Sequence, residues 1–174
     1  ENKNFYKYIP EHTRYKIVSF YNTIKIPKHK KLNFKKKYNI IVVNGLRETR
    51  KSIIPFISKL DFISQQFDDF EVHLVGPTNP VLEMEFEQVI QQNPDIRSHI
   101  DLHDHVDNIH DYYTSCDFMV TLSEYEGTSN AVIEALAHEM PVLCLSGCIG
   151  VNETVVNDQT GLIFENLDDL ADGV

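Results

Sequence analysis

The 174 residues predict an α/β fold built on a doubly wound parallel sheet, and three observations carry that expectation. Apolar runs at 39–43, 72–75, 118–122 and 141–145 are too short for helices and lack polar alternation, so they read as strands buried on both faces. Longer segments between them have helical periodicity, as in 53–67, which is apolar at 53, 54, 56, 57, 60, 63 and 67. The two kinds alternate along the chain, which is the pattern of successive βαβ units.

In chain order, residues 1–37 do not read as the start of a self-contained domain. A strand is expected at 16–21 (KIVSFY), and 27–37 (PKHKKLNFKKK) is a charged connector. From residue 38 the pattern becomes regular. The strand 39–43 runs into the loop GLRETRK, and 72–75 ends at Gly76-Pro77. An amphipathic helix over 81–92 stops at Asn93-Pro94, because the residue before a proline disfavours helix. A short strand at 100–102 precedes a helix that Asp107 would cap and that ends at Ser115. Next come the strand 118–122, a polar turn over 123–130, a helical run 131–140 and the strand 141–145. A helical turn at 152–157, a last strand at 162–164 and a helix from Leu167 complete the unit.

Composition narrows the function classes. No run of eighteen apolar residues is present, and no transmembrane helix or signal peptide is expected. The chain begins at Glu1, which reads as an excised fragment. Cys116, Cys144 and Cys148 make no metal or redox spacing and read as reduced packing residues of an intracellular protein. Charge is divided: residues 1–59 carry a balance of +12 and the remainder −22, giving −10 overall. The lysine tract 28–37 is either a solvated linker or a basic surface facing phosphates or anionic lipid. No nucleic-acid reader pattern accompanies it.

One residue stands out. From 131 to 137 every residue except Glu134 is apolar, so Glu134 is expected to be partly buried and to need hydrogen-bonding partners. The turn before that helix lies where open α/β sheets bind ligands.

Glu126 stands eight positions earlier, giving E-x7-E within SEYEGTSNAVIEALAHEMPV. This stretch resembles the signature of the retaining GT-B glycosyltransferases of family 4, the glycosyl transferases group 1. The matching positions are Ser123, Glu126, Gly127, Glu134, Ala135, Ala137, Pro141, Val142, Gly150, Glu153, Thr160, Gly161 and Leu162. The resemblance covers about residues 39–174. It implies the Rossmann-like, nucleotide-sugar-binding C-terminal half of a GT-B enzyme over 38–174. Residues 1–37 would then be the interdomain crossover segment and basic linker, with YNTIKIP as the crossing.

The implied activity is transfer of a sugar, with retention, from a donor such as a UDP- or GDP-sugar. The acceptor, a glycan, lipid or small molecule, would be held by a missing N-terminal domain, so this stretch alone should bind donor without turnover. Glu126 would face the transferred sugar, and Glu134 the donor ribose. Arg47 and Lys51, with Arg50 as a substitute for Lys51, would grip the diphosphate, although Leu46 interrupts the family's G-R pattern and leaves their register open. Gly127, Thr128, Ser129 and Asn130 would offer backbone amides at a helix start, and Gly150 and Glu153 would line the sugar pocket. No cofactor or metal is expected, because no D-x-D motif occurs. Cytoplasmic residence, with peripheral contact at the inner membrane face, completes this expectation. A non-catalytic GT-B-like partner subunit and a nucleotide-sugar epimerase remain as alternatives. The histidines at 99, 103, 105 and 110 lack zinc-like spacing and read as surface or turn residues.

Overall fold

The computed structural model describes residues 37–43, 46–47, 53–67 and 69–173. The expected strand at 16–21, the lysine tract up to residue 36, Arg50 and Lys51 lie outside the described residues. The elements are β1 (Tyr38–Val43), α1 (Ile53–Gln66), β2 (Phe70–Val75), α2 (Pro80–Gln92), β3 (Ile100–His103), α3 (Ile109–Ser115), β4 (Phe118–Thr121), α4 (Asn130–Ala137), β5 (Val142–Leu145), α5 (Ile149–Asn152), β6 (Gly161–Phe164) and α6 (Leu167–Gly173). A 3-10 segment, Pro94–His99, that the sequence reading did not foresee leads into β3.

The six strands form one parallel sheet in the order β3-β2-β1-β4-β5-β6. The chain leaves β1 toward one edge and returns at β4 to build the other, so the strand order reverses between β1 and β4. Alternation along each strand feeds two cores. Ile40, Val42, Val72 and Leu74 pack on one face with α1, α2 and α6, against Phe56, Leu60, Phe86 and Leu170. Ile41, Val75, Met119, Val142 and Cys144 pack on the other with α3, α4 and α5. Fully burying one such aliphatic side chain contributes about 1.5–3 kcal/mol, which is why both faces of the central strands are apolar.

Local chemistry sets the ends. The Asn79 side chain accepts from the Val81 N–H at 2.9 Å and Pro80 opens α2. The short helix expected from Asp107 is flanked instead by Asn108, whose side chain makes no capping bond. The helical turn expected at 152–157 sits three residues earlier, at α5, because burying Cys148 and Val151 on one face wins over the glycine at 150. All three cysteines are buried thiols outside any disulfide, and burial pushes the Cys144 thiol up to about 11, which keeps it protonated.

The helical run expected to reach Met140 ends at Ala137. Glu139 adopts φ 59°, with its N–H donating to the Leu136 carbonyl at 3.0 Å and the Met140 N–H to that of Ala135 at 3.0 Å. These paired bonds form a Schellman stop with a glutamate where glycine fits best. Glu139→Gly should therefore raise stability by about 1 kcal/mol, the cost of holding a side chain in the left-handed region. Urea unfolding checks this, and a loss of stability would show that Glu139 does more there than turn the chain.

Candidate functional site

Where the strand order reverses, the carboxyl ends of β1 and β2 open into a cavity of about 280 Å³. Its walls include Val43, Val75, Val106, Ile109 and Ala131, and the polar edge carries Asn130, Tyr113 and Glu134. Such a crevice, beyond the strand ends at the reversal point, is where open parallel sheets bind ligands.

Glu134 is half-buried on α4, as the isolated acid in an apolar helix suggested. Its partner is the Tyr113 hydroxyl, which donates to Glu134 Oε2 at 3.1 Å. Tyr113 is fully buried. Burial, then the neighbouring Glu134 charge, raises its pKa far above the usual tyrosine value, so it remains a neutral donor. Behind this pair, His138 Nδ1 lies 2.7 Å from the Glu134 carbonyl and can donate to it. The His138 ring also stacks on His110 with centroids 5.0 Å apart. Sequence reading missed Tyr113, since nothing in α3 marks which residue will face an acid 21 positions later.

The turn after β4 holds the other expected residues. Glu126 is half-buried and its Oε1 accepts from Ser123 Oγ at 3.0 Å. Gly127 and Asn130 are exposed, Thr128 is half-buried and Ser129 is buried. Ser129 precedes α4 without a side-chain capping bond, and the first turn contains no acid. No residue of the first turn itself places a carboxylate at the positive end of this helix.

Gly150 ties the next loop to this one. A β-carbon there would overlap the carbonyl oxygens of Glu126 and Gly127, so only glycine allows the backbones to meet. Glu153 closes α5 and is exposed. Arg47 is exposed beside Leu46. Leu46 itself is a core residue, and its carbonyl accepts from the Asn79 N–H at 2.8 Å. The residue that interrupts the G-R pattern is therefore a packing residue.

Two histidine expectations are corrected. His99 is buried and stacks on Phe70 with centroids 4.4 Å apart, because the 3-10 segment turns it inward. His103 is half-buried on β3 beside Asp101 and His73, and ligating atoms of these three residues lie within 4.8 Å of one another. No metal-ligating group had been expected. Burial is the main influence that lowers the His73 pKa.

This parallel sheet with a cavity at its reversal point defines a Rossmann-like domain, the fold of the C-terminal half of GT-B glycosyltransferases. The chain belongs to the family described as glycosyl transferases group 1, whose profile matches residues 37–174. A variant of S. aureus TarM, in complex with fondaparinux, alpha-GlcNAc-glycerol and UDP, superposes with a TM-score of 0.77 at 17% identity, over 94% of this chain and 34% of that one. Anabaena HepE, in complex with UDP and glucose, gives 0.65 at 17% identity, over 79% and 37%. The C-terminal domain of the group 1 protein LpcC from Francisella tularensis gives 0.65 at 22% identity, over 78% and 72%. The chain thus spans about a third of the length of TarM and HepE. No curated protein sequence matches it. Among the described residues, no helix is long and apolar enough to cross a membrane.

Gly150→Ala should push the Glu126–Gly127 backbone away and cost about 1–3 kcal/mol, the usual penalty for forcing a methyl group into filled space. Chemical denaturation of parent and variant measures it. Unchanged stability would contradict the close approach of these loops.

Proposed function

We propose that this chain is the donor-binding half of a retaining glycosyltransferase that takes its sugar from a nucleoside diphosphate. The observation that carries the reading is the cavity, with the Tyr113-bound carboxylate of Glu134 beside an apolar wall. A nucleoside matches that combination: two vicinal ribose hydroxyls can donate to one carboxylate, while a flat base packs on Val106 and Ile109. That TarM and HepE were each solved with UDP adds support from the same fold.

The diphosphate would lie against the first amides of α4, from Gly127 through Asn130, whose partial positive charge meets no acid in that turn. Arg47 and Lys51, or Arg50 in place of Lys51, would add full charges from the first βα loop. Donor cleavage leaves more negative charge on the diphosphate, and fixed cations and amides stabilise it as it develops. Glu126, steadied by Ser123, would accept from hydroxyls of the transferred sugar, with Gly150 and Glu153 along the same pocket. No divalent metal has a part in holding this diphosphate. The acceptor, a glycan, lipid or small molecule, would bind a second domain. Cytoplasmic residence, with the lysine tract at the inner membrane face, belongs to the same reading.

Calorimetry with UDP, GDP and ADP, and with the sugar donors built on them, tests the proposal. Glu134→Gln should weaken both the free diphosphate and the intact donor, whereas Glu126→Gln should weaken only the donor. A lost hydrogen bond to a charged group is worth about 1.5–3 kcal/mol, roughly ten- to a hundredfold in affinity. Circular dichroism must show both variants folded, because Glu134 also holds Tyr113. Parent-like diphosphate binding by Glu134→Gln would remove the nucleotide from this cavity.

A further inference from the structure

We propose that His73, Asp101 and His103 form a binding site for a divalent first-row transition metal of the zinc kind, on the outer strands of the sheet. The site is independent of the nucleotide reading.

Strand geometry brings the three together. Asp101 and His103 are two apart on β3 and so share a face, and the parallel register sets His73 of β2 directly beside Asp101. The resulting triangle has His73 Nδ1 3.3 Å from His103 Nε2, His103 Nε2 2.9 Å from Asp101 Oδ2, and His73 Nδ1 3.7 Å from Asp101 Oδ2. Zinc bonds of about 2.0–2.2 Å in a tetrahedron set ligand atoms about 3.3–3.6 Å apart. The three edges bracket that spacing.

The protonation pattern points the same way. His73 Nε2 lies 3.3 Å from Asn39 Oδ1. An amide oxygen only accepts, so Nε2 carries the His73 proton and Nδ1 turns a lone pair toward the triangle. Asp101 brings carboxylate lone pairs, and His103 Nε2 has at most one proton for both neighbours. A cation satisfies all three groups at once. Asn39 then acts as the outer partner that fixes the tautomer and ring of a ligating histidine.

The Tyr112 ring walls one side, its centroid 5.0 Å from that of His103 and 6.1 Å from that of His73. The side chains are 16%, 47% and 24% exposed for His73, Asp101 and His103, which leaves an open position for water. Two imidazoles favour zinc, cobalt or nickel over magnesium and calcium, which prefer oxygen. A bound ion would fasten β3, the edge strand, to β2. It would thereby steady the following loop, whose His105 and Val106 line the cavity.

The test titrates Zn²⁺ into the full chain after chelator treatment and dialysis, with thermal unfolding and equilibrium dialysis as readouts and Mg²⁺ as the control. Zn²⁺ should bind saturably and raise Tm, and Mg²⁺ should do neither. Asp101→Asn, at a half-exposed position that tolerates the change, and His103→Ala should abolish this binding. Asn39→Ala should weaken it by about ten- to a hundredfold, and His110→Ala should leave it unchanged. Equal Zn²⁺ binding by parent, Asp101→Asn and His103→Ala would show that the ion sits elsewhere. Absence of any Zn²⁺ effect would leave the triad as a hydrogen-bonded patch. Either result overturns the proposal.

Discussion

The hydrogen bond from Tyr113 to Glu134 is the contact on which the site depends. A carboxylate on a packed helix would lose hydration without compensation, and its burial would be costly unless a donor met it. Tyr113 supplies that donor from within the second core, where desolvation keeps its hydroxyl protonated. The bond therefore joins α3 to α4 at the mouth of the cavity. Glu134 also lines that cavity.

Sheet topology explains why this happens at one place. With β1 and β4 adjacent and the chain winding outward from each, a crevice lies beyond the strand ends at the reversal. The backbone contact at Gly150 then fixes the Glu126–Gly127 turn against the loop after β5. Glu126 thus sits on a turn braced from below, and Glu134 on a helix braced from the side. The two acids of the E-x7-E spacing have different supports, consistent with different proposed duties.

Much of the fold was legible because parallel strands covered on both faces must be apolar runs, and β1, β2, β4 and β5 lie where such runs fall. Glu134 was legible for the converse reason: one acid in a helix of Ala, Val, Ile and Leu cannot be indifferent to its surroundings. Contacts that depend on how elements pack were not legible. Tyr113 and its neighbour Tyr112 look alike in sequence, yet one is buried against Glu134 and the other walls His73 and His103. The triad on β2 and β3 had a partial signal in Asp101-x-His103, the spacing that puts two side chains on one strand face. Its third member depends on the strand register, which sequence periodicity leaves free. Glu139 gave no warning of a left-handed turn, because the helix stop is made by backbone bonds.

Hydrogen exchange with and without saturating UDP probes the central claim, that a nucleotide occupies the cavity edged by Glu134. Exchange should slow at Gly76, at residues 104–106 and through the first turns of α4. The hollow at the opposite, amino end of the sheet, lined by Tyr38, Phe67, Phe70 and Phe118, should be unaffected. Protection confined to that apolar hollow, with α4 unchanged, would contradict the account.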